Sequence, residues 1–205
     1  MGIAIRSRGL RIHDLVSKSA MCLFYGVAGA GKTNILLTLT RDLCREDGPC
    51  LYISTEETLH YEKVGKQAEN YANTLFAEVH ELDKLLELFL QLSYMDFRIL
   101  VVDSINSLYR AVAYEESSLA KFTFSLGFLR SMSVQKGFKV LASAQVRAGE
   151  DDVEASGMSL LEYYFDTVFQ VGFERDKRFV KLVKPKYKVP LVNYFEINEK
   201  GAVWV

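Results

Sequence analysis

Four short runs of this chain are apolar at almost every position: MCLFYG (21–26), CLYIS (50–54), FRILVVDS (97–104) and KVLASAQ (139–145). A strand with one wet face alternates apolar and polar residues, whereas an unbroken apolar run predicts a strand covered on both faces. Between these runs lie longer segments with apolar residues at helical spacing, at 31–46, 57–70, 81–94 and 115–136. Strands separated by helices predict a mostly parallel α/β sheet. After residue 165 the pattern changes to TVFQVGFE, RFVKLVK, VNYFEIN and AVWV, divided by polar turns such as RDK and NEKG. These predict antiparallel strands that extend the same sheet. No repeat, low-complexity tract or Pro/Gly-rich linker interrupts the chain, and its only prolines are Pro49, Pro185 and Pro190. The expectation is a single domain over residues 1–205.

Composition narrows the function classes more than the fold. Apolar residues make up 49% and charged residues 25% of 205 residues, enough for a sizeable core without metals. The net charge of −1 offers no bulk attraction to nucleic acid. Cys22, Cys44 and Cys50 show no CxxC spacing, which suits buried thiols in a reducing cytosol and leaves a Cys44–Cys50 bridge open. MGIAIRSRGLRIHDL lacks the apolar stretch of a signal peptide, and no run approaches the about 20 residues that span a bilayer. A cytoplasmic protein without a membrane partner is expected.

The most specific chemistry lies directly after the first run. GVAGAGKT (26–33) matches GxxxxGK[ST] in full, between a predicted strand and a predicted helix. Gly26, Val27, Ala28, Gly29, Ala30 and Gly31 form a loop whose backbone N–H groups suit a β-phosphate. Lys32 supplies charge to the β- and γ-phosphates, Thr33 a hydroxyl ligand for Mg²⁺, and Asn34 completes the expected cofactor-binding stretch. ATP and Mg²⁺ are therefore the expected ligands. Asp103, after four apolar residues in RILVVDS, suits the Mg²⁺ shell, although an Asp in this place also caps helices. Glu56 and Glu57 follow the second run and suit the orientation and deprotonation of an attacking water; the same residues also suit a helix N-terminus. Gln145 ends the fourth run, where a neutral amide can bond a γ-phosphate or its water and pass the change to the next loop.

A phosphate loop, a Glu after the next strand, a strand-ending Asp and a strand-ending Gln, in that order, resemble the RecA/RadA family of ATPase cores. The resemblance runs from about residue 10 to residue 205 and rests on YISTEE, VVDSINSLYRAVAYEESSLAKFTFSLGFL, ASAQV, KLVKPKYKVP and FEINEKGAVWV. Recombinases of this family carry one Glu in the YISTEE position, and the KaiC-like branch carries two. The core begins almost at Met1, without room for the helical DNA-binding domain and Phe-containing linker of RadA recombinases. RIHDLVSKSA also replaces their glycine-rich stretch. The chain looks most like a core-only archaeal RadA paralogue. The resemblance implies a slow Mg²⁺-dependent ATPase that assists a recombinase or another repair protein. The alternatives are a nucleotide-gated protein-binding switch and a KaiC-like signalling ATPase.

The resemblance also gives meaning to charged positions elsewhere. Lys184, Lys186 and Lys188 alternate, so they share one face if extended. A basic pair in this region reaches a neighbouring subunit's ATP in the KaiC and RecA branches, which makes Lys184 and Lys186 candidates in a homo-oligomer. A solvated edge strand guarded by lysines explains them equally well. In 115–136, Leu119, Phe122, Leu126 and Leu129 form one face, with Phe124 and Phe128 opposite. That second face suits burial within the chain or a subunit contact. The family's first DNA-binding loop begins near Arg110, before Glu115 and Glu116; its second contains Arg147 against Glu150, Asp151, Asp152 and Glu154. Acids oppose a phosphate backbone and no aromatic lies in 146–159 to stack a base, so single-stranded DNA affinity should be modest and salt-dependent. Tyr61 is placed to stack on adenine or simply to pack. His13, His60 and His80 lack metal-ligand spacing.

Overall fold

A computed structural model describes residues 12–56, 60–146 and 157–205, apart from the side chains of 46, 47 and 60. Among the described residues nine strands form one sheet: β1 (Met21–Gly26), β2 (Cys50–Ser54), β3 (Thr74–Glu78), β4 (Ile99–Asp103), β5 (Lys139–Gln145), β6 (Thr167–Glu174), β7 (Lys177–Lys184), β8 (Val192–Asn198) and β9 (Gly201–Trp204). Their order across the sheet is β3-β2-β4-β5-β1-β6-β7-β8-β9. The first six are mutually parallel, and β7, β8 and β9 continue antiparallel. This is the mostly parallel sheet with an antiparallel C-terminal extension that the hydrophobic pattern predicts.

The unbroken apolar runs are explained by two cores, one on each face. Met21 and Leu23 of β1 face one core with Leu51, Ile53, Leu100, Val102, Val140 and Ala142. Helices α4 (Leu82–Gln91), α6 (Ser118–Lys136) and α7 (Met158–Tyr164) cover that side through Leu85, Phe89, Phe122, Leu126, Leu129 and Leu161. The intervening Cys22, Phe24, Tyr52, Val101 and Leu141 face the other core, under α1 (Ile12–Lys18) and α2 (Lys32–Asp47). Two short helices, α3 (His60–Lys66) and α5 (Ser107–Ala111), flank the ends of β2 and β4. Among the described residues no helix is long and apolar enough to cross a membrane.

Several elements escape the sequence pattern. β3, α1, α5 and α7 have no counterpart among the predicted segments. β3 is an edge strand with Leu75 60% exposed, so it lacks the two-faced apolar signature. The α7 segment is only seven residues long, too short for its period to stand out. The alternating lysines do not share one strand, because β7 ends at Lys184 and Pro185 has no N–H to continue the ladder. In α6, Phe122, Leu126 and Leu129 are buried, but Leu119 is 52% exposed. On its other side Phe124 is exposed and stacks on Phe128, which packs partly against the core. Cys44 and Cys50 are bridged, tying the end of α2 to the start of β2, while the Cys22 thiol is pushed up to about 12 by burial.

Candidate active site

The register of the parallel strands brings the predicted chemistry to one edge. Gly26 pairs with Gln145, and Ser54 with Asp103, so β1, β2, β4 and β5 all deliver their last residues there. In open α/β sheets the crevice beyond the carboxyl ends of the strands is where ligands bind.

Residues 26–31 leave β1 and turn into α2. Gly26 must be glycine because a Cβ there would lie 1.9 Å from the Val171 carbonyl oxygen of β6. Gly31 sits at φ +106°, a region that favours glycine, and opens directly into Lys32. Lys32 is buried and folds back over the loop, donating to the carbonyl oxygens of Gly26 and Val27 at 2.9 Å each. Burial lowers its pKa; the charges of Asp103 and Glu56 act the other way, and Arg110 adds to the lowering. Arg110 thus exerts its charge on this site. Thr33 and Asn34 follow in the first turn of α2, with Asn34 Oδ1 accepting a 2.5 Å hydrogen bond from Lys63 Nζ of α3.

Asp103 is buried at the end of β4. Its Oδ2 accepts from the Tyr52 hydroxyl at 2.8 Å, and its Oδ1 accepts from Ser143 Oγ. Tyr52 titrates well above the ordinary phenol value because it is fully buried and bonded to this carboxylate. The donor chemistry fits Mg²⁺: Thr33 and Asp103 present the hydroxyl and carboxylate oxygens that a small hard cation takes.

Glu56 is where the structure adds most to the sequence. Gln145 Nε2 donates to both of its carboxylate oxygens, at 2.9 and 3.0 Å, and Ser104 Oγ donates to Oε1 at 2.8 Å. Two residues 89 apart, singled out separately as water-orienting and phosphate-sensing groups, are thus direct partners. The turn beneath them is tied by Thr55, whose Oγ1 accepts from the Ser104 N–H at 2.9 Å and bonds Ser107 Oγ at 2.6 Å. Glu57 lies outside the described residues, as do Arg147, Glu150, Asp151, Asp152 and Glu154.

The remaining candidates fall away from this cluster. Lys184 Nζ donates to the carbonyls of Glu162 and Phe165, both at 2.7 Å, at the C-terminus of α7. Lys186 and Lys188 are exposed in the loop between β7 and β8. Tyr61 is 42% exposed on α3 and bonds the Glu78 carboxylate. His13 lies 3.4 Å from Asp42, and His80 3.8 Å from Glu78.

Sequence reasoning missed Tyr52, Ser104, Asn106 and Ser143. Ser143 had a visible signal, a hydroxyl inside an otherwise apolar strand. For Tyr52 there was none, because an aromatic in a buried strand is ordinary packing.

Fold and site together define a RecA-like P-loop domain, and a model of the Rad51 family matches residues 14–160. The chain belongs to the Rad51 family. It is similar to the DNA repair and recombination protein RadB of Methanobrevibacter smithii, at 27% identity over 185 residues, 82% of this chain and 78% of that protein. The RadB of Methanocaldococcus jannaschii is 27% identical over 197 residues, covering 90% of this chain and 92% of its own length. The DNA repair protein RAD51 of Mycosarcoma maydis is 30% identical over 156 residues, 64% of this chain and 45% of that protein.

Proposed function

We propose that this chain is a Mg²⁺-dependent ATPase that assists recombinational DNA repair in the cytoplasm as an accessory factor. The observation that carries the proposal is the contact of Glu56 with Gln145 on the strand edge that also holds Lys32 and Asp103. Lys32, with the N–H groups of residues 26–31, holds the phosphates. Thr33 and Asp103 would hold Mg²⁺, which when bound would supply positive charge against the phosphates. Glu56 orients and deprotonates the attacking water. Gln145, already bonded to Glu56, is placed to exchange that partner for the γ-phosphate. The repair role follows from the likeness to the RadB proteins, whose names state it. A recombinase or another repair protein is the expected partner.

A nucleotide-gated switch with little hydrolysis is the second reading, favoured by the way Gln145 and Ser104 occupy the Glu56 carboxylate. ATP turnover of wild type, Glu56→Gln and Lys32→Ala separates the two. Wild type should exceed both variants on the order of a hundredfold. Wild-type turnover no higher than that of Lys32→Ala defeats the ATPase in favour of the switch. In the same assay, Lys186→Ala mixed with Lys32→Ala should recover part of the lost rate if Lys186 completes a neighbour's site. Lys184 is the weaker candidate for that role, because its ammonium already holds the end of α7.

A further inference from the structure

β4 is shorter than β5 at the site edge. The rungs between them end at Val102 with Ala142, after which the chain turns at Ser104. Ile105 N–H still reaches the Ser143 carbonyl at 2.9 Å, keeping the turn alongside β5. Asn106, fully buried, then supplies what the missing strand cannot. Its Nδ2 donates to the Gln145 carbonyl at 2.9 Å, and its Oδ1 accepts the Gln145 N–H at 3.0 Å. The side-chain amide thus forms one more rung of the sheet, opposite Gly26 on the β1 side. Gln145 is gripped at both ends, its backbone by Asn106 and its amide by Glu56.

We propose that Asn106 is a positioning residue that fixes the backbone of Gln145, and thereby sets its amide on Glu56 and on the nucleotide's terminal phosphate. This rests on the ATPase reading above. Both bonds of its amide to Gln145 go to backbone atoms at the end of β5, so its loss acts on the rate through Gln145. It also precedes the first residue of α5, so its amide ties the turn after Asp103 to the end of β5.

The test is a double-mutant cycle between Asn106→Ala and Gln145→Ala, read on ATP turnover and on ADP affinity. Asn106→Ala should lower kcat on the order of tenfold or more and leave ADP affinity unchanged. In the Gln145→Ala background it should cost nothing further, because residues acting through one contact are not additive. A merely structural role predicts equal losses in both backgrounds, and that result overturns the proposal, as does wild-type turnover in Asn106→Ala. If the Ala variant does not fold, Asn106→Asp carries the same cycle; it keeps the shape and the acceptor for the Gln145 N–H but lacks the donor. A wild type without turnover defeats the ATPase reading instead. The cycle is then read on hydrogen exchange at Gln145 and Val146 with a non-hydrolysable ATP analogue against ADP. A nucleotide-dependent difference that persists in Asn106→Ala overturns the positioning role.

Discussion

Asp166 illustrates how a single carboxylate sets the geometry of a distant site. Its Oδ2 accepts from Arg130 Nη1 at 2.7 Å and from the N–H groups of Met21 and Ala20 at 2.9 and 3.2 Å. It therefore fastens the start of β1, whose other end becomes the phosphate loop, to α6. Burial alone would raise this carboxyl, but Arg130 and the two backbone donors hold it below the ordinary value of 3.8. A depressed folded pKa gives stability that is complete above the unfolded value and lost as pH falls through the folded one. Asp166→Asn should therefore melt below wild type at neutral pH, with the gap closing as pH drops below 3.8. Paired melting curves across that range check it; a gap constant with pH would mean that shape, not charge, matters there.

The strand β1 carries a stricter demand. It pairs with β5 on one side and β6 on the other, and Phe24 stacks on Phe169 of β6 with ring centroids 4.8 Å apart. At its end the β6 backbone comes so close to Gly26 that no side chain fits. Gly26→Ala should cost about 3 kcal/mol, since neither backbone can yield without breaking sheet pairing. Urea unfolding measures this directly, and a loss below about 0.5 kcal/mol would show that the strands separate easily. The motif GVAGAGKT made Gly26 legible as part of a phosphate loop, but not the reason it is glycine. That reason sits on Val171, 145 residues away in the chain, and spacing along the chain holds no trace of it.

For the chain as a whole, charge decides what the molecule meets. A net charge of −1 gives no bulk attraction to nucleic acid, and the acidic residues at 150–154 oppose a phosphate backbone. Single-stranded DNA should bind weakly, with affinity falling steeply as salt rises. Fluorescence anisotropy with a labelled oligonucleotide tests this, and submicromolar binding at about 150 mM salt would contradict it. On the proposed accessory role, a basic protein surface is the expected partner.

The element types and the phosphate loop were legible because they are written locally. Runs covered on both faces lack polar positions, helices repeat at 3.6 residues, and GVAGAGKT needs its glycines within one turn. Asp103, Glu56 and Gln145 were found as polar residues at or just beyond the ends of apolar strands, a signal that also needs no partner. Their meeting was not written in this way. Glu56, Ser104, Asn106 and Gln145 come together because parallel pairing sets β2, β4 and β5 in register, and that register depends on packing across the sheet. Folding also gives the Lys184 ammonium the carbonyls at the end of a helix too short to predict, a contact that spacing along the chain does not show. Hydrophobic spacing along a chain can specify which residues lie inside, but only the packed sheet specifies which of them touch.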